Sequence, residues 1–514
     1  MQKRTLQFIF ALLLILSMLL AACSPAVPAP SGDTPAPAAS SSDSSSSDAG
    51  SDSGVVTIRY QFPRSPQQDL QMVQDALNEI ITPRIGVELI LEPIDPGVYN
   101  DKMQLALASG EECDIIFTAP WTNSYITNVA NGVLYPLDDL LPVHAPGLWA
   151  SMPETTWEAA RVGDAIYGVI NQQIFPKPWG VNVRKDLLEK YNFSLDNVER
   201  WEDMEPFLEA VRDGEGINPI YANDTFNGLF RAGYHGMVEL GPTGVTVYAD
   251  DEDRQVVSLL ETPEFKEAAD LTKKWVDAGF FPLEGPPADQ ADAMFRAGQF
   301  AMNYHVEKPG NDIENQNRYG WEFVSKNLTD PLILDTGAVT ATMNGVCASS
   351  KNPEKAVEVL ELFNTDVEVY NTLSRGIEGV HWVWIDEENK VMGFPEGVDG
   401  STSTYNPNAD WMFGNQFNAY YRDVRQVGAW EATKAMNDGA FPATVLGFSV
   451  NTQPIATELA QTKAVWDEYV LPIQAGWVAY DEAAPDAIER LNAAGMQTVI
   501  AEIQSQIDAW AANR

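Results

Sequence analysis

The chain has 514 residues, 45% hydrophobic and 20% charged, and a formal net charge of −41 from 32 Lys and Arg against 73 Asp and Glu. That length exceeds one ordinary domain and fits two or more lobes with sizeable cores. The acidic surface repels phosphate backbones and anionic headgroups, so nucleic acid is excluded as an expected partner.

At the amino terminus Lys3 and Arg4 precede an apolar run from Leu6 to Leu20, followed by Ala21, Ala22 and Cys23. A basic start, a short apolar stretch and small residues make 1–22 a secretory signal, too short for a permanent membrane span. Leu20-Ala21-Ala22-Cys23 resembles the bacterial lipobox. That resemblance implies that Cys23 carries lipid and anchors the chain to the membrane on its extracytoplasmic face. The following stretch to Gly54 is Ser, Pro, Ala, Asp and Gly, which have little to bury, so 23–54 is expected to be the lipidated cysteine and a disordered tether. The globular part then starts near Val55.

Val55 to Phe62 reads as a first strand. Leu70, Val73, Leu77 and Ile80 recur at helical spacing up to Pro83 and Gly86, and Val87 to Leu91 is the next strand. Tyr99, Met103 and Leu107 mark a second helix stopping at Gly110, before the short buried strand Asp114 to Phe117. This β-α-β-α-β order predicts an α/β fold with a parallel sheet and helices outside it. Ligands of such sheets bind beyond the carboxyl ends of the strands, which here means the loop with Trp121 and Asn123. Trp121 could equally cap the sheet.

The stretch from Tyr167 to Tyr191 reads as a crossing from one lobe to the other. Pro176 and Pro178 make its middle irregular, leaving Gln172, Gln173, Phe175 and Trp179 to line an open surface. Beyond it, Pro263 to Ala278 is an amphipathic helix whose Phe265, Ala268, Thr272 and Trp275 form a core-facing stripe. Gln299 to His305 is a strand whose end carries Asn303, Tyr304 and His305, within reach of a cleft. Tyr319 to Val324 and Gly337 to Ala348 read as strands, and Asn352-Pro353 starts a helix with Ala356, Val359, Leu360 and Phe363 buried. Near the carboxyl terminus, Met496, Val499, Ile500, Ile503, Ile507 and Trp510 share one helix face.

Cys113 and Cys347 lie beside strand-like runs and are expected to be buried free thiols, with one disulfide as the alternative in an oxidising compartment. There is no metal-type cysteine spacing, and His144, His235, His305 and His381 are scattered without an HExxH arrangement. No metal centre and no cofactor is expected.

The lipobox, Lys102 to Gly110 before Asp114 to Phe117, Phe295-Arg296-Ala297-Gly298 before Ala301-Met302, and Ser349 to Ala356 follow one another in an order that resembles a family. It is the extracellular solute-binding lipoproteins of bacterial ABC importers, in particular the sugar-binding group. Gly376 to Trp382, Trp411 to Gln416 and Gly447-Phe448-Ser449 are similar to the module that ends LipO-type members. The resemblance implies a two-lobe periplasmic-binding-protein-like fold with hinge strands and a helical carboxyl-terminal segment. Lobe 1 would span 55–168 with return strands about 319–350, lobe 2 would span 169–318 with helices about 351–375, and 376–514 would complete the cleft. Crossings are expected near Val169 to Val181, Tyr319 to Val324 and Cys347 to Asn352. The implied partners are a small solute, most readily an oligosaccharide, and the permease subunits of an ABC transporter.

Two functions follow from these residues. A non-enzymatic binder fits the supply of flat rings, 14 Trp, 17 Tyr and 21 Phe, several in loops, because such rings stack on sugar faces while amides take hydroxyls. Its expected ligand residues are Trp121, Asn123, Gln172, Trp179, Asn303, His305, Trp382 and Trp411, with no catalytic residue. The alternative is a secreted glycoside hydrolase, which needs two carboxylates across one bond. No carboxylate pair stands out, and GxSxG and Walker A motifs are absent.

Overall fold

The first sheet grows from strands that alternate with helices. Val56–Pro63 (β1), Leu70–Ile85 (α1), Val87–Ile94 (β2), Pro96–Ser109 (α2) and Ile115–Thr118 (β3) follow directly on one another in the structure, a computed structural model. It describes residues 54–513 apart from 224, 225, 227, 242, 243, 283 and 401, so the signal at 1–22, Cys23 and the tether to residue 53 lie outside the described residues. In α1 the buried Val73, Leu77 and Ile81 repeat every fourth residue, and Gly86, at a φ of 66°, closes the helix through its N–H on Thr82 O. The helix runs through Pro83 to Ile85 rather than stopping before it. Asp95 caps α2 by accepting from the Gly97 N–H at 2.9 Å, with Pro96 in the first turn. All four residues of β3 are buried, as a strand covered on both faces requires.

Gly168–Ile170 (β4) and Trp179–Arg184 (β5) flank the crossing stretch. Pro263–Asp277 (α3), Met302–Val306 (β6), Phe323–Asn327 (β7), Met343–Val346 (β8), Pro353–Thr365 (α4) and Val367–Arg375 (α5) follow. The first sheet has the order β2-β1-β3-β8-β4, with β1 parallel to β2 and β3, and β8 antiparallel to both β3 and β4. One edge of this sheet therefore gathers the carboxyl ends of β1, β2, β3 and β4 and the amino end of β8. The second sheet is β6-β5-β7, antiparallel throughout. Residues 171–178 lead from the first sheet to the second, and 328–342 lead back.

Several placements differ from the sequence reading. Phe323–Asn327 pairs with β5 in the second sheet, so the return crossing follows it instead of lying at Tyr319 to Val324. Helices α4 and α5 belong to the first core, where Ala356, Leu360, Phe363, Val369 and Tyr370 pack with Ile58, Leu77 and Phe117. They are not lobe 2 helices, and Cys347 to Asn352 is no crossing. The expected strand from Gly337 begins as a helical turn, Thr336–Val339, capped by Asp335 Oδ1 at 2.8 Å from the Ala338 N–H.

Cys113 and Cys347 are joined in a disulfide with Cα atoms 5.7 Å apart, so the expectation of free thiols is corrected. The cause is the register: Cys113 precedes β3, Cys347 follows β8, and Ile115 lies opposite Val346, which brings the two side chains together.

A second core forms around Val181, Trp201, Phe207, Trp275 and Phe281. A third joins Phe265 and Ala268 of α3 to Val245 and Val247 of a small sheet. The closing helices Tyr480–Ala493 (α6) and Met496–Ala511 (α7) complete it with Leu491, Val499, Ile503 and Ile507. The carboxyl-terminal part thus serves two cores, because Tyr405, Met412 and Phe413 pack into the first. Among the described residues no helix is long and apolar enough to cross a membrane, and no cluster of His, Cys, Asp or Glu could hold a metal ion.

Candidate functional site

The carboxyl edge of the first sheet carries an aromatic pair, one ring exposed and the other partly buried. Trp121, in the loop after β3, is 59% exposed, and its ring lies 5.9 Å from that of Trp411 at an angle of 63°. Phe117 at the end of β3 supports both rings from below, at 5.7 and 6.0 Å. The Trp121 Nε1–H donates to Ala341 O at 3.0 Å, which fixes the ring against the amino end of β8. Arg64, the first residue beyond β1, sets its guanidinium 5.1 Å from the Trp411 ring centre. Gln173 Nε2 donates to Thr342 Oγ1 at 2.7 Å, and that hydroxyl donates to Trp411 O at 3.2 Å. Rings with apolar faces bordered by amide, hydroxyl and guanidinium groups can stack on a flat ligand and satisfy its polar rim.

Trp411 is far from β3 in sequence, and two buried asparagines bring it there. Asn344 on β8 donates from Nδ2 to Met412 O at 3.2 Å and to Asn171 Oδ1 at 2.7 Å; Asn171 Oδ1 also accepts from the Gly414 N–H at 3.0 Å. Tyr60 on β1 closes the clamp by donating to Asn344 Oδ1 at 3.0 Å. Gly414 has a φ of 105°, and a Cβ there would stand 2.6 Å from Phe363 O, so only glycine lets the segment lie this close. Sequence reasoning missed Asn171 and Asn344. Their signal was an amide directly after the apolar run Tyr167 to Ile170 and another inside Met343 to Val346, where a buried polar group needs partners.

The other residues expected at the site are placed as follows. Asn123 is buried at a φ of 44° and holds the Trp121 loop, with its Nδ2 donating to Phe117 O at 2.9 Å and its Oδ1 accepting from Asn128 at 3.0 Å. Gln172 also turns inward, donating to Ser151 Oγ at 2.8 Å. Trp382 is 5% exposed, donates to Gly376 O at 3.0 Å and packs on Trp384 and Tyr420. It lies in an aromatic cluster of its own and not at the Trp121–Trp411 pair.

Trp179, Asn303 and His305 belong to the second sheet. Trp179 is half-buried, with the Arg231 guanidinium 4.6 Å from its ring centre and 5.1 Å from that of Tyr304. Asn303 is buried opposite Asn182 and donates to Asn315 Oδ1 at 3.2 Å. His305 is exposed opposite Gly180, its Nδ1 3.0 Å from Val306 O. The structure therefore brings Trp121 and Trp411 together on one sheet and sets a second ring-and-guanidinium group, Trp179 with Arg231, on the other.

The family described as bacterial extracellular solute-binding protein matches residues 78–366, and a domain of unknown function matches 444–512. A carbohydrate ABC transporter substrate-binding protein of Streptococcus pneumoniae is 25% identical over 484 residues, 90% of this chain and 93% of its own length. The crystal structure of an N-glycan transport solute-binding protein from Streptococcus pneumoniae superposes with a TM-score of 0.80 at 23% identity, over 89% of this chain and 99% of that one. The same protein in complex with Man5GlcNAc gives 0.71 over the same shares. A solute-binding protein from Bifidobacterium longum infantis, described as binding HMO, gives 0.61 at 14% identity, over 89% and 99%.

Proposed function

The chain belongs to the bacterial extracellular solute-binding protein family, and from that premise we propose that it binds an oligosaccharide in the cleft between its lobes and delivers it to an ABC importer. The family is extracytoplasmic in its place of action. The observation that carries the sugar reading is the exposed Trp121 ring set against the partly buried Trp411 at the carboxyl edge of the first sheet, where α/β folds bind ligands. The names of its relatives support it: one is a carbohydrate transporter's binding protein and another carries N-glycans.

Closure of the lobes about 171–178 and 328–342 would let rings from both sheets cover the solute. The superposition is better on the neighbour without a named sugar, 0.80, than on its Man1GlcNAc and Man5GlcNAc complexes, 0.72 and 0.71, at near-constant coverage. A hinge gives that pattern when the parts keep their folds and change their mutual placement. Attachment through Cys23 would keep the binder beside its permease.

A hydrolytic reading needs a free carboxylate pair. Beside the ring pair, Asp410 is held by both Nη atoms of Arg375 at 2.5 and 2.6 Å, which suits binding and not proton transfer. The test is a thermal-shift screen of the chain from Val55, which contains all the described cores, against oligosaccharides, amino acids and short peptides. An oligosaccharide that raises the melting temperature with the logarithm of its concentration, and is recovered uncleaved, is the expected result. Stabilisation by peptides alone, or sugar release on incubation, would overturn the proposal.

A further inference from the structure

Beside the ring pair lies a charge imbalance that stacking on a neutral sugar does not use. Asp410 immediately precedes Trp411, and its two oxygens are engaged by Arg375, whose side chain is almost wholly buried. Arg422 also faces this carboxylate, but its Nη2 stands 3.9 Å from Asp410 Oδ1, beyond hydrogen-bond reach. That Nη2 is inaccessible to water and has no hydrogen-bond partner among the described residues. The only hydrogen bond from the Arg422 guanidinium to the described residues is a long one, from Nη1 to Asn406 Oδ1 at 3.4 Å. Arg64, whose guanidinium sits by the Trp411 ring, donates from Nη2 to Asn408 O at 3.3 Å and keeps a buried Nε without a partner.

Arg375 and Arg422 thus share one carboxylate, and Arg64 is near enough to feel its charge. The next acid, Glu314, is already paired with Lys308 at 2.5 Å. Burial, followed by repulsion from Arg375, pushes Arg422 down to about 10, and burial lowers Arg64 as well. A shift of this sign marks cations whose surroundings supply too little negative charge. The imbalance is local, in a chain whose formal net charge is −41. Such a chain repels anions at long range, so an acidic ligand would need a cationic patch of this kind to be held. Arg422 keeps 27% of its side chain exposed although its Nη2 is buried, so the side chain lies at the protein surface.

We propose that Arg64, beside the Trp411 ring, and Arg422, beside the Asp410 carboxylate, form a subsite for an acidic substituent, carboxylate or sulfate, on the oligosaccharide. Guanidinium forks match both oxyanions, and the ring beside Arg64 would hold the sugar that carries the charge. This inference rests on the oligosaccharide reading above.

The experiment is calorimetric titration of the chain from Val55 with matched pairs: lactose and 3′-sialyllactose, xylotriose and its glucuronyl-substituted form, N-acetyllactosamine and its 6-sulfate. In at least one pair the acidic member is expected to bind roughly tenfold tighter, the effect of one added charge-assisted contact. The preference should weaken with salt. In Arg64→Gln and Arg422→Gln the ratio of acidic to neutral affinity should fall toward one. Arg422→Lys, which retains charge but not the fork, should keep part of it. Circular dichroism melts separate a lost subsite from a lost fold, and the lysine variant preserves the test if the glutamine variant does not fold. Sialyl and glucuronyl arms against the sulfate arm distinguish the two oxyanions. Neutral members binding as tightly as acidic ones in every pair, or a preference that survives both glutamine substitutions, would overturn the subsite and leave sugar binding standing. No binding by any member would remove the oligosaccharide reading together with the subsite.

Discussion

The two sheets place their polarity in opposite ways. The first has a largely apolar interior, with all of β3 buried and Tyr60 and Phe117 in the same core, and near its carboxyl edge it holds the buried Asn171–Asn344–Tyr60 clamp and the open Trp121 ring. The second buries amides in its middle. Asn182 on β5 accepts from Asn315 Nδ2 at 2.9 Å and from Ser325 Oγ at 2.6 Å, and its own Nδ2 donates to Glu307, a buried carboxylate just past β6. Asn311 donates to the same Glu307 oxygen at 3.2 Å, while Glu307 Oε2 has no partner among the described residues. A buried, partly satisfied polar network ties strands together with direction but makes stability depend on protonation. The lesson is that both lobes have apolar cores, but the first buries its amides near the rim to hold the Trp411 segment, whereas the second buries them in mid-sheet to tie its strands together.

If that contrast holds, the second lobe's stability should depend heavily on its few large rings. Trp275 is fully buried against Phe280 and Phe281, and its Nε1–H donates to Glu205 at 2.9 Å. Trp275→Ala should cost about 3–5 kcal/mol by denaturant unfolding. A loss under about 1 kcal/mol would mean that the hydrogen-bonded network alone holds the lobe.

The next effect belongs to the first sheet. Its disulfide links Cys113 to Cys347 across 234 residues and locks the β3–β8 pairing. The double substitution Cys113→Ser and Cys347→Ser should lower stability by about 2–4 kcal/mol. The same loss should follow reduction of the native chain, and unchanged melting in reductant would show that packing alone fixes this pairing.

Glu307 tests the contrast through pH. Burial, opposed by the Asn311 and Asn182 hydrogen bonds, pushes its carboxyl up to about 8. A folded pKa above the unfolded value of about 4.3 means the proton is held more tightly in the folded state. Its contribution is fully present below about pH 4.3 and is lost as pH rises to about 8. Glu307→Gln stays neutral, so the difference between variant and wild type should grow in the variant's favour across that window, to at most about 5 kcal/mol above pH 8. Parallel pH profiles for the two proteins would mean that Glu307 is charged and satisfied in the folded chain.

The same contrast explains how much was legible in the sequence. The β-α-β-α-β start could be read because Leu70, Val73, Leu77 and Ile80 recur at helical spacing and Gly86 and Gly110 stop the helices. The fate of Phe323–Asn327 and of α4 and α5 could not, because their partners lie across the crossings and no local period encodes which core a helix joins. The disulfide stood only as the alternative to free thiols for the same reason. Among the expected site residues, residue type pointed equally to Trp121 and Trp382; only the tertiary packing separates the exposed ring from the buried one. Asn123 was expected at the site from its place after the third strand and Gln172 from the irregular stretch that Pro176 and Pro178 make, yet both satisfy buried backbone or side-chain groups.

The smallest expected change in stability is also the sharpest test of the rim. Trp121 is 59% exposed, and its fixed contacts are one hydrogen bond to Ala341 O and ring edges on Phe117 and Trp411. Truncating it removes little buried surface, so Trp121→Ala should shift unfolding by no more than about 0.5–1 kcal/mol. Trp411 is partly buried under Arg64 and should cost somewhat more, about 1–2 kcal/mol. Binding should reverse the ranking seen for Trp275. An exposed ring gains when a ligand covers it, and an aromatic anchor of this kind is worth about 2 kcal/mol, so each rim variant should lose roughly thirtyfold in affinity for an oligosaccharide that stabilises the wild type. Trp275→Ala, measured under conditions where it remains folded, should lose far less. Unchanged affinity in both rim variants would remove the ring pair from the site and move attention to Trp179 and Arg231 on the second sheet.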